Sequence, residues 1–157
     1  MEALKLHDGS VYLDCTLGGA GHSYHIAERL TTGRLVGIDR DPVALEAAGK
    51  RLEPFADRVT LVHSNFCRMG EVLRDLGISG VDGILLDLGV SSPQLDDGSR
   101  GFSYMTDAPL DMRMDNGDAL TADAVVNTWS YEELKRILYD YGEERYAPAI
   151  AAAIVRR

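Results

Sequence analysis

A glycine-rich turn between Asp14 and His22 is the first place in this sequence where residue types and spacing indicate chemistry. The segment reads Asp-Cys-Thr-Leu-Gly-Gly-Ala-Gly-His and follows an apolar run that is typical of a buried strand. Glycines in such a turn allow a ligand to approach the backbone, and the first turn of a following helix offers free N–H groups. Three glycines within four residues favour a cofactor-binding loop over a turn that serves packing alone.

The spacing of these glycines indicates which cofactor the loop holds. A dinucleotide fingerprint needs Gly-x-Gly-x-x-Gly, but a count from Gly19 and Gly21 reaches Tyr24, and a count from Gly18 reaches Ala20. The Gly-Lys-Ser/Thr of a phosphate loop is absent from the sequence. An acid followed by glycines instead resembles the first motif of S-adenosylmethionine-dependent methyltransferases. That resemblance implies that the loop backbone holds the amino-acid end of the cofactor.

Two further candidates, Asp39 and Phe66, follow the second and third predicted strands. A carboxylate at the position of Asp39 can accept hydrogen bonds from both ribose hydroxyls of a nucleotide-like cofactor. The alternative is a helix cap, but Asp41 before Pro42 already fits that cap and leaves Asp39 free for the ribose. Phe66 either stacks on an adenine ring or belongs to the core, and its spacing leaves both interpretations open.

Asp87, at the end of the fourth predicted strand, is the candidate catalytic residue. It can hold the ammonium group of the cofactor, or it can lie near the transferred methyl group. Methylation of an exocyclic amine needs an acceptor for its protons, which either Asp87 or neighbouring backbone carbonyls can supply. The structural alternative is an aspartate that caps the turn at Gly89.

A long segment without a clear period runs from residue 87 to residue 115. Such segments in compact domains are usually functional or disordered. Disorder fits poorly, because it would leave Phe102, Tyr104 and three methionines in water. Ligands of parallel α/β sheets bind beyond the carboxyl ends of the strands, so we expect this segment to form a wall of the active site.

The remaining pattern predicts the elements that position these residues. Strand and helix signals alternate, which favours an α/β fold with a parallel sheet, and only helices follow the long segment. With four strands the sheet is incomplete, and an unpaired edge at the fourth strand predicts self-association. The predicted strands are 11–15, 34–39, 59–62 and 81–87, and the predicted helices are 22–30, 42–52, 69–76, 121–128, 131–141 and 143–157.

Composition argues against a membrane protein and gives no support for a nucleic-acid-binding protein. The 157 residues are 45% hydrophobic and 26% charged, as in ordinary globular proteins. No apolar run approaches the roughly 20 residues that span a bilayer, so we expect no membrane partner. The sequence has only two cysteines, which favours a reducing compartment, so we expect a cytoplasmic protein. The net charge of −9 gives no support for nucleic-acid binding. His22 and His25 lie one helical turn apart but lack a third ligand nearby, so we expect no metal site.

Four segments together carry a more specific resemblance: Asp87–Asp97, Arg100–Ser103, Pro109–Asp115 and Tyr141–Arg145. Together they closely resemble the bacterial 16S ribosomal RNA cytosine-N4 methyltransferases, and the glycine loop and the Gly37–Pro42 segment agree with the same family. The resemblance implies a Rossmann-like class I methyltransferase fold, with an incomplete S-adenosylmethionine-binding domain at 1–115 and the start of an inserted substrate-recognition domain at 116–157.

The resemblance also implies site residues, a cofactor and a substrate. The cofactor is S-adenosylmethionine, and the partner is 16S ribosomal RNA within the small ribosomal subunit, methylated on the N4 amine of a cytosine. Position 20 is often glycine in the family, so we expect Ala20 to make its contact through its backbone N–H. The family continues well beyond Arg157, which leaves a truncated or non-catalytic S-adenosylmethionine-binding module as the alternative. The implied cofactor contacts are Ala20, Gly21, His22, Asp39, Phe66, Asp87 and Gln94.

Overall fold

Four parallel strands form the sheet of the N-terminal part of the chain. The computed structural model describes residues 4–157, and its contacts divide the chain into one unit that ends at Gly89 and a second that runs from Val90 to Arg157. The strand order β3-β2-β1-β4 is parallel throughout, which confirms the predicted α/β class. The strands are β1 Val11–Asp14, β2 Arg34–Asp39, β3 Val59–His63 and β4 Gly83–Leu85.

Helices cover both faces of this sheet. Successive strand residues point to opposite sides, so neighbouring residues of β1 pack against different helices. Tyr12 packs into a cluster that includes Ile26 and Ala48, whereas its neighbour Leu13 packs into a second cluster with Val72. The first cluster draws on the first two helices and the second cluster on the third. The helices of this unit are α1 Gly21–Arg29, α2 Pro42–Leu52 and α3 Met69–Asp75.

The strand order locates the ligand site of such a sheet. The chain progresses outward from β1 through β2 to β3, then returns to place β4 on the other side of β1. Ligands of open α/β sheets bind at this reversal, outside the carboxyl ends of the two strands. The crevice is therefore expected beyond Asp14 and Leu85, where the glycine loop and Asp87 begin.

Strand β4 is shorter than the sequence predicted and lies at the edge of the sheet. It covers Gly83–Leu85 rather than 81–87, because among the described residues it pairs only with β1. The apolar side chains of Ile84, Leu86 and Leu88 are between 44% and 69% exposed. The predicted unpaired edge is thus present in residues 4–157.

Local signals explain where the helices begin. Asp41 accepts a hydrogen bond from the Val43 N–H at 3.0 Å, which confirms it as the cap of α2. Ser130 and Glu133 form the predicted capping box. The last helix begins later than the predicted residue 143, because Pro148 fits only the first turn of a helix. The helices of the second unit are α4 Ser92–Asp96, α5 Ala122–Thr128, α6 Tyr131–Asp140 and α7 Ala147–Val155.

The long segment after β4 contains short helical elements, and most of it belongs to the same unit as the helices that follow. It contains α4 and a 3-10 turn at Gly98–Arg100. Its far end is bound to the start of α5, where Ala122 and Asp123 donate backbone hydrogen bonds to the carbonyls of Asp111 and Leu110 at 2.8 and 2.7 Å. The chain divides into its two units between residues 89 and 90. The domain boundary predicted at residue 115 stays a prediction.

Within the described part of the chain, no helix has the length and apolar character needed to cross a membrane.

Candidate cofactor and active site

The glycine loop is fastened to β1 and α1 by the carboxylate of Asp14. This side chain is buried, and its two oxygens accept hydrogen bonds from the Thr16 N–H at 3.1 Å and the Ser23 hydroxyl at 2.7 Å. Burial raises the pKa of Asp14 above its ordinary value, although both hydrogen bonds lower it. Asp14 belongs to the motif that the sequence indicated, but its role in holding the loop was not predicted.

A second carboxylate, Asp39, holds the same loop from the end of β2. Its Oδ2 accepts a hydrogen bond from the Gly18 N–H at 2.7 Å, and its Oδ1 accepts one from the Asp41 N–H at 2.9 Å. The expectation that Asp39 is left free for a ribose is therefore wrong in part. Each carboxylate oxygen accepts more than one hydrogen bond, so Asp39 retains acceptor capacity for ribose hydroxyls.

Ala20 closes the loop in a way that the sequence did not indicate. Its φ of 57° lies in the left-handed region, and its N–H donates to the Leu17 carbonyl at 2.8 Å. The expectation that this N–H contacts the cofactor is therefore wrong, because a tight turn already uses it. Ala20 is also fully buried, so neither its side chain nor its N–H is presented to a ligand.

The N–H groups available to a ligand are instead those of the first turn of α1. Ala20 occupies the N-cap position and supplies no side-chain acceptor. The first N–H groups of a helix have no intrahelical partner, which leaves those of Gly21 and His22 for an anionic ligand. A Cβ built on Gly19 or Gly21 would meet nothing within 4 Å, so the space beside both residues is open. These features fit a cofactor carboxylate bound at the start of α1.

Asp87 is joined to the glycine loop at the reversal of strand order. Its N–H donates to the Thr16 Oγ1 at 2.7 Å, which ties the end of β4 to the loop after β1. The Asp87 carboxylate is 73% exposed and lies 3.7 Å from the Nε2 of His22. The structure thus brings His22 and Asp87 together, with the carboxylate directed into open space rather than into a turn.

Phe66 lies at the same edge of the sheet, beyond β3. It opens a 3-10 turn that Asn65 caps through its side chain, and its ring is 40% exposed. The Ser64 N–H donates to the Asp39 carbonyl at 2.9 Å, which aligns the ends of β2 and β3. A partly exposed phenylalanine beyond the carboxyl end of β3 is suited to stacking on an adenine, but that contact stays a prediction.

Gln94 lies in the second unit, in helix α4. Its side-chain oxygen accepts a hydrogen bond from the Ser91 N–H at 3.0 Å, and the Ser91 hydroxyl accepts one from the Gln94 N–H. This capping box begins α4 and leaves the Gln94 side chain buried. The predicted cofactor contact of Gln94 stays a prediction.

Two arginines hold the remainder of the long segment together, and neither role was predicted from the sequence. The buried guanidinium of Arg100 donates to the carbonyls of Arg113 and Met114 at 3.1 and 2.8 Å. Arg113 pairs with both carboxylate oxygens of Asp111 and donates to the carbonyls of Asn116 and Asp118. This pairing lowers the pKa of Asp111 to about 2.

The described residues were also searched for side chains that lie close enough together to bind a metal ion. Among residues 4–157, no group of three or more histidine, cysteine, aspartate or glutamate side chains is arranged to hold a metal ion.

A doubly wound parallel sheet with a glycine loop and carboxylates beyond its strands defines an α/β domain that binds a nucleotide-like cofactor. A family model described as the MraW methylase family matches residues 1–157, and the chain belongs to this family. This assignment confirms the family resemblance, the Rossmann-like methyltransferase class and S-adenosylmethionine as the cofactor.

Curated relatives agree with the family and show how much of its length is present. The chain is 54% identical to the ribosomal RNA small subunit methyltransferase H of Brevibacillus brevis, over 100% of this chain and 50% of the relative. It is 55% identical to the enzyme of the same name from Symbiobacterium thermophilum, over 99% of this chain and 49% of the relative. The chain thus spans about half the length of these relatives.

Solved structures show more distant likeness. The crystal structure of a putative rRNA-methylase from Clostridium thermocellum aligns with a TM-score of 0.48 and 21% identity, over 58% of this chain and 54% of that one. Aeropyrum pernix fibrillarin, solved with S-adenosyl-L-methionine, aligns with a TM-score of 0.46 and 18% identity, over 54% of this chain and 36% of that one.

Proposed function

We propose that this chain carries the cofactor site of a methyltransferase that modifies the N4 amine of a cytosine in 16S ribosomal RNA. The observation that carries the proposal is the junction of Thr16, His22 and Asp87 at the reversal of strand order, in a chain that matches a methylase family from residue 1 to residue 157. The small ribosomal subunit is the proposed partner, and the cytoplasm is therefore the proposed location.

Residues that follow three of the strands, β1, β2 and β3, share the binding of the cofactor. The first N–H groups of α1 bind the carboxylate of the cofactor, because the helix dipole and the free donors both favour an anion there. Asp39 accepts hydrogen bonds from the ribose while it holds Gly18 in place. Phe66 offers its exposed ring to the adenine.

The chemistry of the acceptor defines the role of Asp87. The bound cofactor supplies an electrophilic methyl group. An exocyclic amine that gains a methyl group must lose a proton, and the exposed carboxylate of Asp87 accepts it. The same carboxylate, by accepting an N–H hydrogen bond beforehand, turns the nitrogen lone pair toward the methyl group. The Thr16 hydroxyl fixes the Asp87 backbone for this purpose.

A second candidate function is a cofactor-binding module without transfer activity. One observation favours it, namely the net charge of −9. The proposed cofactor contacts all fall within residues 20–94, whereas an RNA-binding surface requires a basic patch, for which the net charge gives no support.

One experiment distinguishes methyl transfer to RNA from cofactor binding without transfer. The chain is incubated with methyl-labelled S-adenosylmethionine and small ribosomal subunits that lack the modification, and cofactor affinity is measured in parallel by calorimetry. The first function predicts label in the RNA with the wild type, and loss of label with D87N at a cofactor affinity within severalfold of the wild type. Cofactor binding without any label in the RNA would support the second function instead.

A further inference from the structure

Arg51, in the last turn of α2, reaches the glycine loop, and the proposed cofactor site does not account for it. Its Nη1 donates a hydrogen bond to the Gly19 carbonyl at 3.1 Å. The helix dipole favours a cation at the end of α2, which explains a basic residue there but not its bond to the loop. Lys50 lies in the same turn and instead pairs with Glu46 at 2.6 Å. The bond of Arg51 to the loop therefore needs a separate explanation.

An aromatic pair holds the guanidinium of Arg51 in place. Its Cζ lies 5.6 Å from the centroid of the Tyr24 ring, within the range of a cation–π contact. Tyr24 meets Phe55 edge to face, with ring centroids 5.2 Å apart, and both rings pack against the first core cluster. This contact restricts an exposed side chain to few rotamers, so less entropy is lost when it bonds to Gly19.

The bond fixes a single peptide plane of the loop. The Gly19 carbonyl and the Ala20 N–H belong to the same peptide unit, which is planar. The carbonyl accepts from Arg51 and the N–H donates to the Leu17 carbonyl at 2.8 Å, so this unit is held at both ends. Ala20 is the N-cap of α1, in the left-handed conformation. The orientation of this peptide therefore sets the direction in which α1 and its first N–H groups begin.

Helix α2 thereby links the two parts of the proposed cofactor site. At its start, the Asp41 N–H donates to the Asp39 carboxylate at 2.9 Å, and Asp39 also holds Gly18. At its end, Arg51 holds Gly19. Glycines leave a loop many conformations, and a ligand that must order such a loop binds more weakly. A contact from α2 orders the loop before the cofactor binds.

We infer that Arg51 is a positioning residue for the cofactor, which holds the Gly19–Ala20 peptide so that the first N–H groups of α1 face the cofactor carboxylate. Arg51 acts through the loop rather than by contact with the ligand. The inference rests on the proposed placement of the amino-acid end of the cofactor at the start of α1, and it does not depend on RNA. Its consequence is selective, because a ligand without the amino-acid end does not use these N–H groups.

Two thioethers test this selectivity by calorimetry. S-adenosylhomocysteine has the adenine, the ribose and the amino-acid end, whereas 5′-methylthioadenosine lacks only the amino-acid end. We expect R51M to weaken binding of S-adenosylhomocysteine by about fivefold and to leave that of 5′-methylthioadenosine within about twofold of the wild type. An equal loss for both ligands would indicate a general effect on the fold and overturn the inference, as would no loss for either.

Matched variants control for charge and for the aromatic contact. K50M removes the neighbouring charge of α2, whose partner is Glu46 rather than the loop, and should bind both ligands like the wild type. Y24F keeps the ring under the guanidinium and should also bind like the wild type, whereas Y24L should weaken S-adenosylhomocysteine selectively. Circular dichroism should show every variant folded. The same selective loss in K50M, or wild-type binding by Y24L, would overturn the inference.

Failure of this inference is distinguishable from failure of the proposed function. A wild type that binds the two thioethers equally would contradict both the inference and the placement of the amino-acid end at α1. Wild-type selectivity that R51M retains in full would contradict the inference alone. The affinities are measured without RNA, so an absence of methyl transfer to cytosine would contradict the proposed activity and leave the role of Arg51 in place.

Discussion

The carboxylate of Asp39 accepts a hydrogen bond from the Gly18 N–H at 2.7 Å, and so links the end of β2 to the glycine loop after β1. A residue that we expected to serve only the ribose thereby also fixes the loop that we propose binds the other end of the cofactor. The proposed site therefore predicts that a change at Asp39 affects both ends of the cofactor.

Replacement of Asp39 should therefore disturb both ends of the cofactor. We expect D39A to weaken binding of S-adenosylmethionine by roughly 1.5–3 kcal/mol, because charge-assisted hydrogen bonds are lost. Calorimetry measures this change, and hydrogen exchange at the Gly18 amide should accelerate in the same variant. D75A, which removes an exposed carboxylate at the end of α3, should leave both quantities unchanged. An unaltered cofactor affinity in D39A would remove Asp39 from the site.

Asp14 should make the stability of the first unit depend on pH. Burial raises its pKa in the folded state, so the folded protein binds this proton more tightly than the unfolded chain does. Stability contributed by the protonated form is present below the ordinary value of 3.8 and is lost as the pH rises through the folded-state pKa.

The variant D14N removes this titration and keeps a side chain of the same shape. We expect the free energy of unfolding of D14N, relative to the wild type, to increase as the pH rises from about 4, because only the wild type must ionise a buried group. Urea unfolding at a series of pH values, followed by circular dichroism, measures the difference. A difference that is constant with pH would show that Asp14 titrates alike in both states.

Gly101 should be indispensable to the fold of the segment from residue 101 to residue 112, which lies in the second unit. G101A places a Cβ 2.5 Å from the Pro109 carbonyl at a φ of +72°. We expect a loss of more than about 1–2 kcal/mol in stability, from the left-handed backbone conformation and the clash together. Trp129, the single tryptophan, lies at the end of α5 and reports on this unit by fluorescence.

Gly70 provides the control for that measurement. It lies in α3, where a Cβ would meet nothing within 4 Å. We expect G70A to be neutral or slightly stabilising, because alanine is the better helix former. Equal unfolding midpoints for G101A and the wild type would contradict the close backbone approach.

The edge of β4 should promote self-association. Ile84, Leu86 and Leu88 expose apolar surface beside backbone groups that pair on one side only within residues 4–157. We expect the wild type to associate in a concentration-dependent manner by light scattering, and I84K to reduce this association. V155K introduces the same charge at an exposed valine of α7 and should have no effect. A wild type that stays monomeric up to high concentration would contradict the prediction.

Much of the fold follows from local signals in the sequence. The cap at Asp41 and the box at Ser130 specify helix starts through contacts only two or three residues long, and both were predicted. The strand order places Asp39, Phe66 and Asp87 at one edge of the sheet, as alternating strands and helices require. These features depend on neighbours in sequence or on the period of apolar residues.

The features that were missed depend on contacts between distant parts of the chain. Asp39 meets Gly18 only because β2 lies beside β1. The Ala20 N–H is used by a tight turn whose geometry the residue type does not reveal. Arg100 and Arg113 find carbonyl acceptors that exist only once the segment has folded. Charge and spacing alone do not identify such partners.

The proposed function is tested most directly by the identity of the methylated atom. After incubation of the chain with S-adenosylmethionine and unmodified small subunits, the 16S ribosomal RNA is digested to nucleosides and analysed by mass spectrometry. We predict a single new product, N4-methylated cytidine, which D87N fails to form. Methylation of another atom, or no methylated nucleoside from a chain that binds the cofactor, would contradict the proposal.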